Sequence, residues 1–297
     1  MSNIRTVTAL ATPFCGDRVD EAGLAAAIER QVRAGIDAVV VCDVTGEGCT
    51  LDERERDLVL SMSLARADGR LAVIAATGTN DTARSIALTM RAQELGADGV
   101  LVTLPYYSKP SRAGVVGHFR RIAAATHLPV IIDDDPQRVA LEAGAALLAA
   151  LSDVENIVGI RHGAGRLSAF TRLAPNLRRR YHHYCGEDAD LPAFLACGGH
   201  GAISAFGNLV PQRLTATVRG AAGASTLFSR DVAGLAAATG DQWDAAVVKA
   251  ASGILHGGSE GVRLPLVEID VDMREALRCA LVGMGEGAGL PVPQAVA

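Results

Sequence analysis

The sequence predicts a (β/α)8 barrel followed by an all-helical C-terminal extension, and three observations carry that expectation. Eight short runs, each mostly apolar on successive positions, recur from Thr6 to Ala205, as parallel strands covered on both faces require. Helical patterns separate them, and eight βα units in a row fit a closed barrel of about 250 residues, the TIM type. After about Gly220 the strand signals stop, and only helical patterns follow.

In chain order the expected strands are Thr6–Ala11, Ala38–Cys42, Leu71–Ala76, Gly99–Leu104, Leu128–Ile132, Asn156–Ile160, Arg180–Cys185 and Gly201–Ala205. Arg33-Ala34-Gly35 and Gln93-Glu94-Leu95-Gly96 read as helices running out at glycine into the next strand. Thr50-Leu51-Asp52-Glu53 reads as a capping box, and Asp68-Gly69 as the end of the helix that it opens. Leu227–Ala238, Asp241–Leu255 and Asp272–Gly283 form the extension, with Trp243 and Lys249 on its middle helix. Two units follow, a barrel over 1–220 and a helical domain over 221–297. The run Gly285-Glu286-Gly287-Ala288-Gly289 follows a helix rather than a strand, which argues against a dinucleotide loop.

Composition narrows the function. The 297 residues are 49% hydrophobic but only 4% aromatic, so aliphatic side chains build the core. A net charge of -5 without basic runs interleaved with aromatics speaks against nucleic acid as a partner. The start lacks a signal-peptide core, and no apolar run reaches a membrane-spanning length. Six cysteines without CxxC pairs read as free thiols in a reducing cytoplasm.

A barrel of this kind builds its site at the C-terminal strand ends and the loops beyond them. Those ends carry Asp43-Val44-Thr45-Gly46-Glu47, Asp133-Asp134-Asp135, Arg138, Arg161-His162 and Gly186-Glu187-Asp188. Asn156-Ile157-Val158-Gly159-Ile160 runs apolar and ends abruptly in the cation of Arg161. Such a cation is either a working group, because its planar fork suits carboxylate or phosphate, or half of an internal ion pair. Asp43, Asp133, Asp135, His162, Glu187 and Asp188 could ligate a divalent ion. No motif spacing supports one and Arg161 would repel it, so neither metal nor cofactor is expected. Cys42 reads as a buried thiol, Lys109 as a solvated loop lysine, and one of His182 and His183 must face the outer helices.

Four stretches, Thr45-Gly46-Glu47, Gly78-Thr79-Asn80, Pro105-Tyr106-Tyr107 and Gly198-Gly199-His200-Gly201-Ala202-Ile203-Ser204, stand out, and through them the chain resembles the dihydrodipicolinate synthase and N-acetylneuraminate lyase family of pyruvate-dependent aldolases over essentially its whole length. Thr45-Gly46-Glu47 is similar to that family's GTTGE loop and Gly78-Thr79-Asn80 to its GTG-type loop. Pro105-Tyr106-Tyr107 resembles its PYY loop, and Gly198-Gly199-His200-Gly201-Ala202-Ile203-Ser204 its glycine-rich segment. The resemblance implies lyase chemistry on a small carboxylate or 2-oxo acid, and a homodimer or homotetramer. It also implies that Thr45, Gly46, Arg138 and Ile203 bind substrate and that Tyr107 belongs to a proton relay.

Three positions depart from the pattern. The imine-forming lysine falls at Arg161, whose guanidinium stays protonated with a pKa above about 12 and offers no amine lone pair. The relay tyrosine falls at Asp133, and the first loop threonine at Val44. Strand alternation would aim Asp133 and Arg161 into one mouth, so a buried ion pair is expected there. Two functions remain open. One is an enzyme that binds a small carboxylate or 2-oxo acid without an imine, using Arg161, Asp133 and Tyr107 in catalysis. The other is a non-catalytic homologue with the Asp133–Arg161 pair in the former site.

Overall fold

The computed structural model describes residues 3–141, 143–240 and 243–284. The chain starts with β1 (Thr6–Ala9), a small antiparallel hairpin of β2 (Phe14–Cys15) and β3 (Arg18–Val19), and α1 (Glu21–Arg33). Next come β4 (Ala38–Val41), α2 (Glu53–Ala67), β5 (Ala72–Ala76), α3 (Thr82–Leu95), β6 (Gly99–Thr103) and α4 (Arg112–Ala124). They are followed by β7 (Val130–Asp134), α5 (Ala145–Ala150), β8 (Ile157–His162), α6 (Leu167–Thr171) and α7 (Pro175–Arg180). The last barrel elements are β9 (His182–Cys185), α8 (Leu191–Ala196), β10 (Gly201–Ser204) and α9 (Pro211–Val218). The extension holds α10 (Ala224–Thr239), α11 (Ala245–His256) and α12 (Val271–Gly283).

Strands β1 and β4 to β10 pair in parallel and close, with β10 returning to β1 through Thr6 beside Ala202 and Thr8 beside Ser204. Alternation along each strand divides the side chains between two layers. Val7, Val40, Ile74, Leu101, Ile131, Tyr184 and Ile203 fill the barrel interior. Val39, Val73, Val102 and Ile132 face the helices, and that apolar cluster continues into α10–α12 through Phe228, Leu235, Val247, Leu277 and Leu281. The extension is therefore packed on the barrel's outer layer. No helix among the described residues is long and apolar enough to cross a membrane.

Three details correct the sequence reading. The box opening α2 is Asp52 with Glu55, not Thr50 with Glu53. Asp52 Oδ1 accepts from Glu55 N at 2.8 Å, and Glu55 Oε2 accepts from Asp52 N at 3.1 Å. Thr50 is instead consumed by the preceding turn, its hydroxyl donating to Glu47 O at 3.0 Å. Trp243 precedes α11, whose N-cap is Asp244. Strands β7 and β8 each run two residues beyond the apolar stretch, through Asp134 and His162, because the ladder continues into polar positions. The expected glycine-rich run at 285–289, and positions 241 and 242, lie outside the described residues.

Candidate functional site

The parallel register sets Asp133 beside Arg161, and alternation aims both into the barrel mouth while Asp134 and His162 point to the outer layer. Arg161 Nη1 donates to Asp133 Oδ1 at 2.8 Å, and Asp135 Oδ2 lies 3.8 Å from the same nitrogen. Its Nη2 donates to the Gly186 carbonyl at 3.0 Å. Burial works against the guanidinium's charge, but Asp133 and Asp135 outweigh it and raise the pKa above the usual arginine value. The expected ion pair is in place, with each side chain largely out of water. Gly186 is needed for it: a Cβ there would lie 2.6 Å from Arg161 Nε and 2.8 Å from its Cζ.

Carboxyls surround the pair. Burial pushes Asp43 up to about 6, while the Gly46 N–H and Arg161 pull the other way. Asp188 is likewise pushed up to about 6 by burial, although it accepts from the Ser204 hydroxyl and from Phe206 N at 3.1 Å. Burial also raises Glu187. Arg138 Nε meets Asp135 Oδ2 at 3.3 Å. Two arginines thus stand among five acids, and burial holds three of the carboxyls, Asp43, Glu187 and Asp188, above the usual carboxylate range.

The Thr45-Gly46-Glu47 turn is built by close backbone approach. A Cβ on Gly46 would come 2.9 Å from Leu10 O, and one on Gly48 would collide with Cys42 O. Gly46 N donates to Asp43 Oδ1 at 3.0 Å, and Thr45 is buried. Glu47 points away from the mouth and toward the extension. Its carboxylate takes the Lys249 ammonium and accepts from Arg263 N at 2.9 Å. Lys249 also donates to Gly261 O at 2.9 Å and lies 4.0 Å over the Phe14 ring. Burial lowers its pKa and Glu47 opposes that shift.

The other sequence candidates separate. Ile203 is fully buried in the barrel interior. Tyr107 is not brought to Arg161: it is 91% exposed, on a left-handed backbone with φ of 66°. Lys109, also left-handed at φ 46°, is an exposed loop residue. Burial pushes the Cys42 thiol up to about 11, consistent with an inert buried thiol. His162 leaves the mouth set altogether. Its Nε2 bonds His183 Nδ1 at 2.9 Å in an outer-layer stack with Phe170 and Phe194, so it does not converge with Asp43 and Asp133. Among the described residues no cluster of three His, Cys, Asp or Glu side chains could hold a metal ion.

Sequence reasoning missed the roles of Gly186 and Asp135 as partners of Arg161, and the Glu47–Lys249 pair. The signal for the last was a lone lysine inside the otherwise uncharged stretch Ala245–Leu255, which needs an acid wherever that helix is buried.

Residues 3–283 match the family model described as the Dihydrodipicolinate synthetase family. A 4-hydroxy-tetrahydrodipicolinate synthase of Rhizobium meliloti is 39% identical over 212 residues, covering 69% of this chain and 71% of that protein. One from Methylococcus capsulatus is 34% identical over 281 residues, covering 93% and 97%. The crystal structure of the chloride-inhibited dihydrodipicolinate synthase from Acinetobacter baumannii, complexed with pyruvate, superposes with a TM-score of 0.89. It is 29% identical, over 97% of this chain and all of that one.

Proposed function

The chain belongs to the Dihydrodipicolinate synthetase family, and we propose that it is a member that has given up imine chemistry, a non-catalytic homologue as far as that reaction goes. One observation carries the reading: the cation at the mouth is the arginine Arg161, held by Asp133 and Gly186. An imine needs a neutral amine that can attack a keto carbon. The chain has two lysines. Lys249 is buried against Glu47, and Lys109 is on an exposed loop. In this reading Arg161 stands where the resemblance puts the lysine, and Asp133 where it puts the relay tyrosine.

A second reading keeps a ligand. Arg161 Nε is buried and has no hydrogen-bond partner among the described residues, and Arg138 is exposed enough to exchange Asp135 for another carboxylate. A small carboxylate or 2-oxo acid would then bind without a covalent bond, between Arg138 and the Thr45-Gly46 turn. In either reading we propose a homodimer or homotetramer in which the exposed Tyr107 packs against a second copy.

The test is a borohydride trap: protein incubated with pyruvate, reduced, and read by intact mass. The expected result is an unmodified mass. A stoichiometric adduct overturns the proposal, and peptide mapping would then show whether Lys109 or Lys249 carries it. Calorimetric titration with pyruvate separates the two readings, since only the second gives heat without an adduct.

A further inference from the structure

A cavity of about 340 Å³ lies between α1 and α11, apart from the Arg161 pair. Small side chains of α1, Ala26 and Ala27, form one wall, and Arg30 stands at its C-terminal end. Ser252 and His256 come from α11, one helical turn apart, and the loop beyond them turns back through Gly257 and Gly258, both at positive φ, to bring in Ser259.

Arg30 is the unusual member. It is half-buried, its Nε is fully shielded, and no acceptor reaches that nitrogen among the described residues. Burial lowers its pKa and no acid opposes the shift. Other arginines drawn into this protein have either an acid or a set of carbonyls: Arg161 has Asp133, Arg166 has Asp134, Arg213 has Asp231 and Arg263 has Glu55, while Arg56 and Arg180 donate to backbone oxygens. A desolvated cation without a counter-charge is costly, and a cavity lined by further donors supplies the space for one.

The lining has the right polarity. His256 Nε2 must carry hydrogen, because its partner at 2.8 Å is the carbonyl of Leu209. Burial lowers the pKa of His256, and in the neutral ring Nδ1 is a lone-pair acceptor, so His256 shapes the wall without offering the cavity a donor. Ser252 and Ser259 add hydroxyls. Lys249 also borders the cavity but is already bonded to Glu47 and Gly261 O, so it contributes field rather than a free donor. The one carboxylate on the rim, Asp20, is committed to capping α1 by accepting from Gly23 N at 3.0 Å.

We propose that this cavity binds a small phosphomonoester, with the phosphoryl oxygens on Arg30 and the two serines and the organic part against Ala26 and Ala27. A fork plus two hydroxyls offers more donors than a carboxylate can use, which favours a three-oxygen head. The volume exceeds what a bare phosphate fills, which favours an organic body. The site is independent of the reading of the barrel mouth.

The experiment is thermal denaturation and calorimetric titration of the whole chain with glycerol 3-phosphate and with inorganic phosphate, at ionic strength held constant with chloride. The expected result is a saturable rise in Tm, with the ester binding at least about tenfold more tightly than phosphate, and loss of the response in Arg30→Met. Ser252→Asp gives a second variant that puts a carboxylate into the lining the cavity shares with Arg30. It is expected to remove the response while folding normally. Absence of a saturable response to either anion, or a wild-type response in these variants, overturns the proposal. Binding of free phosphate with exclusion of the ester overturns the organic-ligand assignment.

Discussion

Arg161 and Asp133 face each other across the β7–β8 ladder, and the guanidinium closes the space between that carboxylate and the carbonyl of Gly186. This ties three strand ends of the barrel mouth together through one side chain. Its consequences can be measured.

Asp133→Ala removes the bonded acid and leaves a desolvated cation facing Asp135 at 3.8 Å. The expected loss of unfolding free energy in urea is about 3 kcal/mol. Asp133→Ala combined with Arg161→Met should cost less than the sum of the two single changes, because neither charge is then stranded. An unchanged midpoint for Asp133→Ala would mean that the pair contributes nothing.

Gly186→Ala tests the third member of the contact. The added methyl would meet Arg161 Nε at 2.6 Å, so the guanidinium must move and its bonds to Asp133 and Gly186 O must break. A drop in Tm is expected in the wild-type background and a much smaller one beside Arg161→Ala. Equal drops in the two backgrounds would place the clash in the backbone instead.

Acid sensitivity follows from the His162–His183 stack. Burial pulls His183 down to about 4, and His162 is lowered in the same direction by burial and by its neighbour. An unfolded histidine titrates near about 6.5, so between that value and about 4 the unfolded chain binds more protons. The stabilisation is complete above the unfolded pKa and is lost as pH falls through this window. Asp43 and Asp188, raised to about 6, act with the opposite sign: their contribution is present at low pH and lost as pH rises through about 6. Asp43→Asn should therefore stabilise the protein at pH 7 and make little difference near pH 4, as read from urea midpoints across that range. The reverse order would show that Asp43 is better accommodated as an anion.

The Glu47–Lys249 pair should be coupled in the same way, since both side chains are buried. Glu47→Gln and Lys249→Met are each expected to cost about 3–5 kcal/mol, and the double variant far less than their sum. Additive costs would mean that the two charges act separately.

The barrel was legible because its evidence is local. Alternation of strand and helix patterns, and glycines at helix ends such as Gly96, act over a few residues, and each predicted strand recurs in the structure with small changes at its ends. The Asp133–Arg161 pair was legible for a related reason: both residues lie on neighbouring strands whose register follows from the barrel. The box at Asp52 was misplaced because Thr50 and Asp52 are chemically equivalent caps, and only the contact of Thr50 with Glu47 O decides between them. His162 was misassigned because one residue along a strand exchanges the mouth for the outer layer.

By itself, then, the sequence determined the architecture, the position of a cation at the sixth barrel strand's end and the scarcity of lysine. Tertiary structure alone decided what each charge does. It gave Arg161 the Gly186 carbonyl from the next strand, Lys249 a carboxylate about two hundred positions away along the chain, and Arg30 a place on a cavity wall where no acid pairs with it among the described residues. The physical reason is range. Backbone propensity and periodicity are written in consecutive residues, whereas the energy of a desolvated charge depends on whichever groups the fold brings within about 4 Å of it.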